Sequence, residues 1–143
     1  MQVRQISVFM ENRAGRLQEI TGILAEAGIN LRALSLADTS DFGILRIIVD
    51  RPDRAVDVLR KNGFTIRENV VIAAVIEDKP GGLHEILNLL AQENISVEYM
   101  YGFLGKHERE AVMIIRVEAI QKAIETLLAG GVTLLKGEAI YTM

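Results

Sequence analysis

The chain repeats itself, and that fact narrows its fold more than any other. Shifted by 66 positions, ENRAGRLQEITGILAEAGINL (11–31) falls on EDKPGGLHEILNLLAQENISV (77–97), and eight of the 21 pairs are identical, among them Gly15/Gly81, Leu17/Leu83, Ile20/Ile86 and Leu24/Leu90. Farther along the offset becomes 68, which aligns RIIV (46–49) with IIRV (114–117) and AVDVLRKNGFTI (55–66) with AIETLLAGGVTL (123–134). The two extra residues fall around Lys106–Glu110, in a hairpin, where insertion is tolerated. Whatever supersecondary unit the first half forms, the second half forms again. The boundary lies near Glu68–Asn69, giving domains 1–68 and 69–143.

Each copy reads as strand, helix, strand, strand, helix, strand. Ile6–Met10 alternate as a strand does, and 14–27 carries Leu17, Ile20, Ile23, Leu24 and Ala27 at helical spacing. Gly28, replaced by Asn94 in the second copy, suits the left-handed residue that ends a helix. Leu31–Ala37 and Ile44–Val49 flank the turn-forming Asp38–Gly43. Pro52 opens a second helix that stops at Asn62–Gly63, and Phe64–Arg67 closes the unit. This order predicts an α+β fold of two tandem ferredoxin-like βαββαβ units, each an antiparallel sheet with both helices on one face. A unit of about 67 residues has a marginal core alone, and duplication is one remedy.

The repeat also serves as a ruler for the strand faces. Ile6, Val8 and Met10, with Ile72, Ala74 and Ile76, are expected to face the helices. The helix-free face carries Gln5, Ser7, Phe9, Ile44 and Ile48 in copy one, and Val71, Ala73, Val75, Val112 and Ile114, all apolar, in copy two. A face exposed to water has polar residues at these positions, so a cover is expected, from the sister copy or from a second chain.

Composition excludes several classes of function. Half of the 143 residues are hydrophobic and 24% are charged, the balance of a soluble globular protein. No apolar run approaches the ~18 residues of a membrane span, and the start lacks a signal-peptide pattern. Cysteine is absent, which removes disulfides, zinc–thiolate sites and thiol nucleophiles together and fits a cytoplasmic location. Ten basic and nine acidic residues in 1–68, against six and ten in 69–143, argue against a nucleic-acid surface. No His or carboxylate cluster has metal-ligand spacing, and no phosphate loop or nucleophile–base constellation occurs. His84 reads as solvent-facing and His107 as part of a charged loop. The expectation is a protein without cofactor, metal or catalytic residues.

The informative chemistry lies in the turn from first strand to first helix, Glu11-Asn12-Arg13-Ala14-Gly15-Arg16-Leu17 and its counterpart Glu77-Asp78-Lys79-Pro80-Gly81-Gly82-Leu83. A helix N-terminus offers unpaired N–H groups and partial positive charge, which suit a carboxylate. Glycine lets a ligand approach the backbone. Asn12 or Asp78 can meet an ammonium through a side-chain oxygen; both are also good helix-capping types. Tyr99 and Tyr101 are either bulky core or, at a pair interface, the wall of an amino-acid pocket.

The turn pattern, followed by Gly-Ile-Asn-Leu at 28–31 and Asn-Ile-Ser-Val at 94–97, resembles the ACT domain, a family of amino-acid-sensing regulatory modules. Copy two carries the full Asp-x-Pro-Gly-x-Leu signature, whereas copy one has Asn12 and Ala14 at the Asp and Pro positions. The resemblance covers both copies and is similar to stand-alone tandem ACT proteins. It implies a ligand site formed by Asn12, Ala14, Gly15, Arg16, Leu17 and Asn30 in copy one, and by Asp78, Pro80, Gly81, Gly82, Leu83, Ser96 and Tyr99 in copy two. Copy one also resembles the serine-binding ACT domains, with Met10 where those carry histidine. The expected function is a non-catalytic regulator, a homodimer that binds a free amino acid between paired units and signals to a separate enzyme or transporter. The alternative is a detached regulatory subunit of a metabolic enzyme with no ligand of its own.

Overall fold

The computed structural model describes residues 1–38, 41–103 and 110–143. Twelve elements follow in the order β1 (Val3–Glu11), α1 (Arg16–Glu26), β2 (Leu31–Asp38), β3 (Phe42–Val49), α2 (Pro52–Lys61), β4 (Thr65–Glu77), α3 (Gly82–Gln92), β5 (Val97–Gly102), β6 (Glu110–Val117), α4 (Ile120–Ala129), β7 (Thr133–Leu135) and α5 (Gly137–Tyr141). The expected α+β architecture is present twice. One compact unit comprises Arg4–Asn69 with Tyr141–Met143, and the other Met1–Val3 with Val70–Ile140. No turn separates the repeats: β4 is one thirteen-residue strand. The segment Arg67-Glu68-Asn69-Val70 holds no Gly or Pro to break it.

In the first unit the strands lie in the order β2-β3-β1-β4, with β1–β3 and β2–β3 antiparallel. In the second, β6 and β7 flank β4 and β5 pairs with β6, all antiparallel. The duplication extends to irregularities, since β2 slips register between Leu31 and Ala33 and β5 between Val97 and Tyr99, the positions 66 residues on. Each unit has its own core. Ile6, Val8 and Met10 pack with Ile20, Leu24, Leu45, Ile47 and Leu59. Ile72 and Ala74 pack with Ile86, Leu90, Ile115 and Leu127, and Ile76 lies against this cluster. Full burial of each large aliphatic side chain contributes about 1.5–3 kcal/mol.

Four helices end in the same way. Ile29, Phe64, Ile95 and Val132 each donate a backbone N–H to the carbonyl five residues back, at 2.9, 3.1, 2.9 and 3.0 Å. The residue before each has positive φ: Gly28 at 71°, Gly63 at 82°, Asn94 at 55° and Gly131 at 82°. This closure satisfies helix-end carbonyls and drives an apolar residue back into the core.

On the helix-free face of each unit several residues are buried. Gln5, Ile48, Val71, Ala73 and Ile114 have no exposure, and Ser7 Oγ donates to Asn69 Oδ1 at 3.2 Å. Tyr99 and Tyr101 share this face, in register with Arg116 and Ile114, so they do not belong to the helix-facing core. On the helix-free face of the first unit Phe9 and Phe42 stay exposed, at 38% and 60%. The C-terminal helix α5 has no counterpart in copy one; in the first unit the Tyr141 hydroxyl accepts from the Arg4 N–H at 2.9 Å. The inserted hairpin with His107 lies outside the described residues, apart from Glu110, which opens β6. Among the described residues no helix is long and apolar enough to cross a membrane.

Candidate functional site

The two strand-to-helix turns have nearly the same backbone. Gly15 (φ 86°, ψ −10°) and Gly81 (φ 86°, ψ −7°) are the cap residues of α1 and α3, in the left-handed region where an L side chain is strained. The cap position of each helix is a glycine, so neither Asn12 nor Asp78 stands at it. The Asn12 amide instead donates to the Asp38 carboxylate, and its N–H donates to the Asp41 carbonyl at 3.1 Å. Within each turn two backbone bonds shape the bend, Arg13 N–H to Glu11 O at 3.0 Å and Arg16 N–H to Arg13 O at 3.3 Å in the first, Lys79 N–H to Glu77 O at 2.9 Å and Gly82 N–H to Lys79 O at 3.1 Å in the second. Among the described residues nothing accepts from the N–H groups of Gly15, Leu17, Gly81 or Leu83. Those donors are therefore available to an anion.

Gly82 has a second constraint. A Cβ there would run into the Glu77 carbonyl oxygen, whereas Arg16 carries a side chain at the equivalent position. Pro80 and Asp78 are exposed, Ala14 and Gly15 are exposed, and Leu83 is half-buried. Leu17 packs on the first core. The fold does not bring Asn30 to Asn12 within one unit. They lie beyond opposite ends of α1, an eleven-residue helix about 16 Å long. Asn30 is clasped to Asp50, its N–H donating to Asp50 Oδ1 at 2.9 Å while its carbonyl accepts from Asp50 N–H at 3.1 Å. Ser96 is exposed and stands at the far end of α3 from Asp78 in the same way. His84 is exposed.

Beside each turn is a cleft, and the two clefts are built from equivalent positions. The first, about 320 Å³, is lined by Phe9, Met10, Glu11 and Arg16 on one side and by Phe42, Gly63, Phe64 and Thr65 on the other. The second, about 230 Å³, has Val75, Ile76, Glu77 and Gly82 facing Glu110, Gly131, Val132 and Thr133, with Glu85 added. The chemistry has diverged. In the first, the Arg16 guanidinium lies over the Phe64 ring, 4.5 Å from its centroid, and Nη1 bonds Glu19 Oε2 at 2.8 Å. Among the described residues Arg16 Nε is buried with no acceptor, a deficit worth about 1–3 kcal/mol. Among the described residues the second cleft has three carboxylates and no basic side chain in its lining. Lys79 bonds Glu77 at 2.8 Å and lies 4.0 Å from Glu85, and its pKa is raised mainly by the bond to Glu77. Among the described residues no three His, Asp or Glu side chains gather as a metal ion requires.

Glu11, Phe9, Phe42 and Phe64 were not among the site residues expected from the sequence. The signal that could have found them is the repeat itself, which places Phe9 against Val75, Phe42 against Glu110 and Phe64 against Val132.

Known structures share this fold. A protein from Bacteroides thetaiotaomicron is 38% identical, the match covering 100% of this chain and 98% of that one with a TM-score of 0.94. The ligand-free regulatory subunit of aspartate kinase from Thermus thermophilus is 16% identical over 89% of this chain and 91% of its own, at a TM-score of 0.63. The aspartokinase alpha and beta subunit structure is 17% identical over 91% and 92%, at 0.60. No curated protein matches. The family model described as the ACT domain pair matches residues 1–143, and the chain belongs to that family.

Proposed function

We propose that this chain is a non-catalytic regulatory protein that binds a free amino acid at its strand-to-helix turns and signals to a separate enzyme or transporter. The observation that carries this reading is the pair of matching turns, with Gly15 and Gly81 at φ 86° and N–H donors that no described residue uses. The α-carboxylate takes those donors, and Asn12 or Asp78 takes the ammonium. Membership of the ACT domain pair family and the likeness to an aspartate kinase regulatory subunit support it. Because Asn12 and Asn30 are held at opposite ends of α1, a site using both requires a second unit, which favours a homodimer. Ligand binding then stabilises one arrangement of the pair, and only differential affinity for two arrangements can transmit a signal.

A calorimetric screen of the twenty amino acids tests this, with Asn12→Ala as control. Sub-millimolar binding of one or a few amino acids, weakened by Asn12→Ala, is the expected result. An absence of any binding below millimolar removes the proposal.

A further inference from the structure

We infer that Asp38 is a positioning residue of the first turn, fixing which end of the Asn12 amide meets a ligand and so selecting a charged amine. This rests on the reading of the turns as amino-acid sites, and it names a specificity determinant outside the turn itself.

The sheet brings Asp38 to the turn. Asp38 and Met10 both pair with Gly43, so the three residues form one row across β2, β3 and β1. Residues opposite each other on neighbouring strands share a face. Met10 packs with Ile20 and Leu24 of α1, so Asp38 stands on the helix-bearing face, where α1 begins. Gly43 has no side chain, so nothing in that row separates the Asp38 carboxylate from β1, and the carboxylate accepts from Asn12 Nδ2. The Asn12 N–H donates to the Asp41 carbonyl at 3.1 Å, which ties the backbone of Asn12 to the same β2–β3 connection.

An ionised carboxylate only accepts hydrogen bonds, so an amide beside it must turn its NH2 group inward. Asp38 thereby decides between the two ends of an asparagine amide, which have nearly the same shape. The Oδ1 end is directed away from Asp38, as an acceptor suited to an ammonium and unsuited to a carboxylate. The charge of Asp38 favours a cation in the same place. The repeat supports this division of labour. Position 78, equivalent to Asn12, is itself an aspartate, and Leu104 stands in the sequence at the place of Asp38. Each copy thus has one carboxylate over these two positions, from β2 in the first and from the turn in the second. Two carboxylates in hydrogen-bond contact would repel each other, which accounts for asparagine at position 12.

The test is titration calorimetry of the full chain with the twenty L-amino acids and their N-acetyl derivatives. It compares wild type, Asn12→Ala, Asp38→Ala, Asp38→Asn and the exchange that combines Asn12→Asp with Asp38→Asn. Asp38 is exposed, so its substitution leaves the core intact. Expected is binding of a free amino acid that weakens roughly tenfold in Asp38→Ala and Asp38→Asn and recovers to within about threefold of wild type in the exchange. In Asp38→Asn the preference for the free over the N-acetyl form also falls, because the Asn12 amide can then turn its NH2 outward. A purely structural role for Asp38 would leave that ratio unchanged. Asp38 variants within about twofold of wild type, while Asn12→Ala loses binding, overturn the inference and leave the turn reading standing. A weakened Asp38→Asn with an unchanged ratio overturns it as well. If none of the twenty amino acids binds below millimolar, both readings fall.

Discussion

Replacing Gly15 with alanine tests the conformation on which the first turn depends. Gly15 has φ 86°, and among the described residues beyond its chain neighbours no atom lies within 4 Å of the place a Cβ would take, so no steric clash with them contributes. The cost is purely one of backbone conformation, ~1–2 kcal/mol for an L residue in the left-handed region. Alanine also restricts the unfolded chain, which returns about 0.4–1 kcal/mol, and the net expectation is a loss of roughly 1 kcal/mol. Gly22 provides the control. It lies seven residues on, inside α1, exposed, with equally open space and no positive φ. Alanine there gains about 0.5–1 kcal/mol from helix preference. The same chemical change is thus expected to have opposite signs two helical turns apart. In thermal and urea unfolding, Gly15→Ala lowers the midpoint by roughly 2–4 °C and Gly22→Ala raises it by a similar or smaller amount. A Gly15→Ala variant as stable as wild type, with Gly22→Ala behaving as expected, refutes the left-handed turn.

Other perturbations act on different terms. Gly82→Ala forces its methyl group against the Glu77 carbonyl and is expected to lose about 1–3 kcal/mol in urea unfolding. Leu90→Ala removes a side chain 1% exposed in the second core, and a loss of about 2–5 kcal/mol is expected, read by the same assay. Lys79 titrates above its ordinary value near 10.5 because Glu77 bonds its charged form. A raised folded pKa gives stability that is complete below the unfolded value and is lost as pH rises through the folded one. Urea midpoints taken from pH 8 to above pH 11 are therefore expected to fall less in Lys79→Gln than in wild type. Arg4 bonds Glu68 at 2.6 Å and Asp53 at 2.8 Å near the surface, so Arg4→Ala is expected to cost at most ~1 kcal/mol, less at high salt.

What the sequence determined by itself was local or periodic. The 66-residue repeat implied two copies of one unit, and the alternation of Ile6, Val8 and Met10 assigned the buried strand face. Gly28 and Asn94 marked helix ends because a left-handed residue is required there whatever the chain does elsewhere. Backbone preference acts over a few residues, so a few residues reveal it.

The tertiary structure decided what depends on distant partners. Arg16 meets Phe64, 48 positions away in sequence, and no local pattern announces that contact. Asn12 was a good capping type, but Asp38 across the turn takes its amide and Gly15 takes the cap. The two aromatics of β5 belong to the helix-free face because β6 sets their register. The repeat boundary likewise falls inside an unbroken strand, since ladder pairing outweighs the weak strand preference of Glu68 and Asn69. Such choices depend on which surfaces are packed together, a property of the folded chain and not of any segment of it.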